Sequence, residues 1–269
     1  MKLITARERR YALLLAARDS EYAKKVYGGY FNVFVAAFGE EGEKWDLFRV
    51  VDGEFPDMNE LHKYDGFVVS GSPYDAYGND YWILKLCFLL QTLDAMEKKV
   101  LGICFGHQVL CRSLGGKVGK ACTGWDIGLR KVEIVKDMSV PSFLEDCLDE
   151  IPSSLSIIEC HQDEVWEVPM GAEVIAFSDK TGVEMFAIDQ HILGIQGHPE
   201  YTKDILYNLI DRLVNNNSIE VTPGSSILLN SDHITTLLLL LLHYLSSFCL
   251  FVLMLVEYRM TLLRTPKLD

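Results

Sequence analysis

Short apolar runs separated by stretches of helical spacing dominate the first half of this 269-residue chain. Residues 12–17 (ALLLAA) read as a first buried strand, 47–51 and 67–70 as the next two, and 100–103 as a fourth. Helical spacing covers about 81–98 and 104–114. Strands this short and apolar, with helices between them, are buried on both faces. That pattern calls for a parallel sheet covered on both sides. Further on, residues 127–135, 156–160, 174–178, 183–188 and 192–196 follow one another without long helices between them. They imply an antiparallel or mixed sheet continuing the same domain, which the amphipathic stretch 203–213 closes. The expected fold is α/β, with a mixed central sheet, helices on both faces and one domain over residues 1–217.

The 49% hydrophobic content suits a packed core. A formal net charge of −13 argues against a nucleic-acid partner, which would show a basic stripe. Seven cysteines occur at irregular spacing with no CxxC pair, so neither a zinc site nor a dithiol redox motif is indicated. No apolar signal-peptide core follows Met1, and the expected setting is the reducing cytosol with free thiols.

Residues 218–269 depart from this pattern as an atypical hydrophobic tail. The run 234–256 contains no Asp, Glu, Lys or Arg and reaches the ~20 residues a membrane-spanning helix needs. It reads either as a membrane anchor or as an apolar tail with no such role. Arg259, Arg264 and Lys267 beyond it would put the C-terminus on the cytosolic side, which suits a simple tail anchor poorly.

The most informative stretch is Leu101-Gly102-Ile103-Cys104-Phe105-Gly106-His107-Gln108. A buried strand runs directly into G-x-C-x-G and an apolar helix pattern follows. This is the logic of a nucleophile elbow with Cys in place of Ser. A thiol there sits at a helix N-terminus, where the dipole and free N–H groups favour thiolate. The Phe105 N–H can help hold an oxyanion. Alone, the same residues also read as a buried Cys between ordinary glycines.

A thiol nucleophile needs a base, and Gly197-His198-Pro199-Glu200 supplies a candidate after another apolar run. One imidazole can activate the thiol and protonate the leaving amine. Glu200, two residues on, can reach the other ring nitrogen and fix the tautomer. Alone, this is also a surface turn.

Ser70-Gly71-Ser72-Pro73 ends another strand on the side where ligands bind in such sheets, and Gly71 or Ser72 is a candidate second oxyanion donor. Cys160-His161-Gln162-Asp163 follows a short strand and offers polar groups to an amino acid's ammonium and carboxylate. It reads equally as a structural turn, and adjacent Cys-His is not a metal-ligand spacing. Gly115-Gly116-Lys117-Val118-Gly119-Lys120 looks phosphate-binding, but the P-loop spacing fails, and no GxGxxG follows a strand.

Taken together, Gly102-x-Cys104-x-Gly106-x-Gln108, Ser70-Gly71-Ser72-Pro73 and Gly197-His198-Pro199-Glu200 resemble the class I glutamine amidotransferase family. Within it, the stretches beginning at Asp19, Tyr27, Phe48, Gly53, Ser70 and Cys160 resemble the plant γ-glutamyl peptidases, over roughly residues 8–214. The resemblance implies a flavodoxin-like fold and a glutamyl thioester on Cys104, with His198 and Glu200 completing the triad. Gly71, Ser72 and Phe105 would form the oxyanion hole, with Gln108, His161 and Asp163 near the substrate. It further implies hydrolysis of glutathione conjugates to glutamate and Cys-Gly conjugates in the cytosol, serving sulfur-containing defence compounds such as glucosinolates. No metal or organic cofactor is expected. A glutaminase subunit feeding ammonia to a partner synthetase uses the same acyl chemistry, and an inactive variant with an altered tail is a third reading.

Overall fold

The computed structural model describes residues 8–135 and 153–219. The apolar run 234–256 lies outside the described residues. Among the described residues, no helix is long and apolar enough to cross a membrane.

Eleven strands are described. β1 (Arg10–Leu14), β2 (Lys44–Phe48), β3 (Gly66–Val69) and β4 (Lys99–Ile103) are the short apolar runs of the first half. β5 (Lys117–Lys120), β6 (Asp126–Ile134), β7 (Ser154–His161), β8 (Asp163–Glu167), β9 (Glu173–Phe177), β10 (Met185–Ile188) and β11 (Ile192–Ile195) follow. Nine of them form one sheet in the order β2-β1-β3-β4-β11-β10-β9-β6-β7. β2, β1, β3, β4 and β11 run parallel, whereas β10, β9, β6 and β7 join by antiparallel pairing. The sheet is therefore mixed, and the last apolar run of the second half inserts beside β4. β5 and β8 make a separate two-stranded sheet, so the glycine-rich stretch that resembled a phosphate loop is strand instead.

Helices cover both faces. On one side, Ala23 of α1 (Glu21–Tyr27) and Tyr30, Phe34 and Phe38 of α2 (Tyr30–Phe38) pack against Leu13, Val68, Leu101 and Ile195. On the other, Ile83, Leu86 and Leu90 of α3 (Tyr81–Ala95) and Val109 and Leu110 of α4 (Phe105–Ser113) pack against Leu14, Phe67 and Val100. Alternate strand residues thus feed opposite cores, as the strand period requires. Each Val, Leu, Ile or Phe among them contributes about 1.5–3 kcal/mol when fully buried. α5 (Lys203–Asn215) buries Leu206 and Ile210 against Ile158 of β7. Tyr22 and Tyr27 of α1 both donate to Asp204 at its start, at 2.6 Å.

The first two strands begin earlier than their apolar runs suggest. Leu15 and Ala16 are buried but lie beyond β1, with the Ala16 N–H donating to Ser70 Oγ at 2.9 Å. Val50 and Val51 are buried in a 3₁₀ turn after β2. Burial at the carboxyl end of a sheet does not require ladder pairing, so apolarity overruns the strand. α1 starts at Ser20, whose hydroxyl accepts the Ala23 N–H, and ends at Gly28 in the left-handed region.

Candidate active site

Three loops meet because three parallel strands end level. Val69 of β3 stands opposite Gly102 of β4, and Ile103 of β4 opposite Ile195 of β11. Ser70–Gly71, Cys104 and Gln196–His198 therefore emerge side by side at the carboxyl edge of the sheet, where α/β folds bind ligands.

Cys104 turns the chain from β4 into α4 with φ 53° and ψ −106°. A non-glycine residue held at positive φ costs about 1–3 kcal/mol and persists only where its surroundings enforce it. Here they do. The Cys104 N–H donates to Ile195 O at 2.8 Å, and its carbonyl accepts the Gln108 N–H at 3.0 Å. A Cβ on Gly106 would stand 2.3 Å from Val69 O, and one on Gly102 2.5 Å from Gly106 O. Only this glycine pair lets the elbow pack onto the sheet. The first-turn N–H groups of α4 begin at Phe105, directly after the thiol.

His198 reaches the same point from β11. Its N–H donates to Ile158 O at 2.7 Å, which ties it to β7. Its Nδ1 lies 2.9 Å from Glu200 Oε1, both residues being buried, and its other edge shares the space over Gly71 with the Cys104 side chain. The ring stacks on Tyr201 with centroids 3.9 Å apart. Burial alone would lower the pKa of His198. The charges of Glu200 and Cys104, with hydrogen bonds to both, outweigh it and push the imidazole up to about 10. Gly71 closes the third side: a Cβ there would lie 2.9 Å from His198 Cε1 and 3.6 Å from Cys104 Cβ.

These residues floor a cleft of about 350 Å³. Gln108, His161 and Asp163 line it too, so the structure brings every site residue named from the sequence except Phe105 to one cavity wall. Phe105 itself is buried, with its ring on Trp82. These side chains also make hydrogen bonds within the protein. Gln108 Nε2 donates to Asp163 O at 2.8 Å and to Gln196 Oε1 at 3.0 Å, bracing α4 against β8 and β11. His161 Nδ1 is 2.9 Å from Asp163 O, and burial above all pulls its pKa down, so it is neutral at pH 7. The Ser72 hydroxyl donates to Ala16 O at 2.8 Å and shapes its own loop. Asp163, about half buried, has its carboxyl raised by burial and then by Asp75.

Sequence reasoning missed Tyr201, Gln196, Asp75 and Trp125. Tyr201 follows Glu200 directly, and its aromatic character beside a candidate base was a usable signal. The others reach the site only through the fold.

Fold and site together define an α/β domain with a cysteine on a strand–helix elbow beside a histidine–glutamate pair. The family model for class I glutamine amidotransferases matches residues 25–220, and the chain belongs to that family. It is 61% identical over 208 residues to gamma-glutamyl peptidase 5 of Arabidopsis thaliana, covering 77% of this chain and 82% of the relative. Gamma-glutamyl peptidase 3 of the same plant is 57% identical over 214 residues, covering 79% and 85%. Among solved structures, a glutamine amidotransferase of Thermotoga maritima is 25% identical with a TM-score of 0.61, covering 78% of this chain and 84% of that one. A glutamine amido transferase from Methylobacillus flagellatus shares the fold at a TM-score of 0.66 and 20% identity, covering 88% and 92%.

Proposed function

We propose that this chain is a cysteine hydrolase that cleaves γ-glutamyl bonds, with glutathione conjugates as substrates and glutamate and Cys-Gly conjugates as products. The observation that carries the reading is the buried His198–Glu200 pair, 2.9 Å apart, beside Cys104 at the foot of the cleft. The relatives named gamma-glutamyl peptidase support the choice of bond.

His198 stays protonated at neutral pH, the form that pairs with a thiolate. Cys104 Sγ attacks the γ-carbonyl carbon, and the carbonyl electrons move onto oxygen. N–H groups at Phe105 and at Gly71 or Ser72 receive that charge. His198 then gives its proton to the departing amine as the C–N bond breaks, leaving a glutamyl thioester. Water, deprotonated by His198, attacks the thioester, and glutamate leaves as the thiolate is restored. Glu200 holds the ring orientation throughout. The remaining side chains brace the pocket, and Asp163 is placed to meet the glutamyl ammonium. We place the activity in the cytosol and in the turnover of sulfur-containing defence compounds such as glucosinolates.

The test incubates the purified full chain with glutathione, a glutathione S-conjugate and glutamine, and measures released glutamate. Release from the conjugate is the expected result. Silence on all three would move the assignment to a partner-dependent glutaminase or an inactive variant.

Glu200→Gln is expected to lower kcat by up to about 10⁴-fold, less than loss of the nucleophile, because the orienter acts through the base. Removing a negative charge beside an imidazolium disfavours the cation. The pH at which His198 loses its proton should therefore fall below about 10, which a ring-proton NMR titration reads directly.

A further inference from the structure

The cleft above the triad has two unlike walls. Asp75 and Asp163 line it on the side that α4 holds. There Arg112 Nη1 donates to Ala76 O at 2.7 Å and to Gly78 O at 2.6 Å, and Gln108 Nε2 donates to Asp163 O at 2.8 Å. The other wall carries Tyr30 and Phe34 of α2 with Leu209, Arg212 and Leu213 of α5. α5 belongs with α1 and α2, since Tyr22 and Tyr27 both donate to Asp204 at its start. α2 and α4 cover opposite faces of the sheet. A ligand seated over Cys104 therefore has carboxylates on one side and α5 on the other.

Residues 209, 212 and 213 are spaced i, i+3 and i+4, one stripe of a helix. Leu206 and Ile210 form a neighbouring stripe, buried against Ile158. That buried stripe anchors α5 and turns the Arg212 stripe to the cleft. Arg212 is exposed, so its guanidinium stands at the mouth of the cleft and not on its floor.

Two arginines line the cleft, Arg18 and Arg212. Arg18 is committed to Asp52, with Nε 2.9 Å and Nη2 2.8 Å from its Oδ1. Arg212 forms no ion pair among the described residues. A guanidinium in a ligand cleft without a protein anion is placed to receive one from the ligand. The γ-glutamyl substrate brings such a group. With its ammonium at Asp163 and its scissile carbonyl at Cys104, the leaving amine points away from Asp163, toward α2 and α5. The Cys-Gly portion ends in a carboxylate about 7 Å beyond the scissile bond when extended, out toward the mouth.

We propose that Arg212 is a specificity-determining residue: it pairs with the C-terminal carboxylate of the leaving dipeptide and so selects γ-glutamyl peptides over glutamine, whose leaving group is ammonia. The proposal rests on the γ-glutamyl reading and on the substrate orientation given with it. Arg212 touches no reacting atom. It also stands in the last turn of α5, where the helix dipole favours a cation. That role alone would change stability without discriminating between substrates, and the experiment separates the two.

The test compares S-methylglutathione with its glycinamide, whose terminal carboxylate is replaced by an uncharged carboxamide, on the purified full chain at low ionic strength. In wild type, kcat/KM should be about tenfold or more higher for the acid, the scale of a hydrogen bond to a charged group. Arg212→Ala should bring that ratio close to one by losing rate on the acid only. Arg212→Lys should keep an intermediate ratio, because a point charge replaces a planar fork. Arg18→Ala should keep the wild-type ratio. Added salt should lower the ratio in wild type and not in Arg212→Ala. Equal kcat/KM for acid and amide in wild type would overturn the proposal. So would a wild-type ratio in Arg212→Ala: equal losses on both substrates would put Arg212 on the glutamyl carboxylate, and a lower Tm alone would leave it a helix-end cation. Should Arg212→Ala not fold, Arg212→Gln, which keeps the stem without the charge, supplies the same comparison. Failure of the γ-glutamyl reading would appear instead as wild-type silence on both compounds. Calorimetric binding of acid and amide to Cys104→Ala, with and without Arg212→Ala, then decides the pairing. Tighter binding of the acid, lost with Arg212→Ala, supports it, and equal binding overturns it.

Discussion

Cys104→Ala is expected to lower glutamate release by about 10⁴-fold or more, because removing the nucleophile of a triad eliminates the covalent route altogether. The substitution removes one sulfur from a buried elbow whose backbone is held by Ile195 O and by the first turn of α4. The cleft walls remain, so binding of a glutathione conjugate, followed by calorimetry, should change little. His198→Ala should be nearly as severe, and the double variant hardly worse, since the two groups act as a unit. A mass-spectrometric search for the glutamyl thioester in wild type adds a direct check. Normal turnover by Cys104→Ala would remove the covalent mechanism outright.

Gly71→Ala is expected to lower kcat by about 10²-fold, the scale on which a misplacement of about 1 Å acts. The added methyl would sit 2.9 Å from His198 Cε1 and 3.6 Å from Cys104 Cβ. The imidazole cannot retreat freely, because Tyr201 stacks on its face and Glu200 holds its Nδ1. Overpacking of this kind also costs about 1–3 kcal/mol of stability. Gly182→Ala is the control, since a Cβ there meets nothing within 4 Å and should leave both rate and Tm unchanged. A Gly71→Ala enzyme with wild-type kcat would show that Ser70–Gly71 does not confine the base.

The elbow was legible because its determinants are local. Val100, Leu101 and Ile103 are buried in β4, the Gly102 and Gly106 backbones admit close packing, and Cys104 lies between them within one short window. The His198–Glu200 pair was legible for the same reason, since two residues around a Pro turn can reach one another without help from the fold. The β5 and β8 strands were not legible. Lys117–Lys120 looks like a glycine-rich loop until Asp163–Glu167 arrives from far along the chain to pair with it. The overrun of burial beyond β1 was hidden as well, because Leu15 faces the crevice and Ala16 the core after the strand has ended.

The chain's own pattern of apolar runs, glycines and turn residues determined an α/β domain, a strained cysteine at a strand–helix junction, and a histidine with its carboxylate partner. Those features depend on near neighbours, whose sterics and periodicity act within a few residues. The tertiary structure alone decided that β11 lies parallel beside β4, which brings His198 to Cys104. It also decided that Gln108 braces the site through hydrogen bonds from its amide to Asp163 and Gln196. Strand order and the burial of one charge beside another are set by segments distant in sequence. Their energies exist only once those segments have packed together.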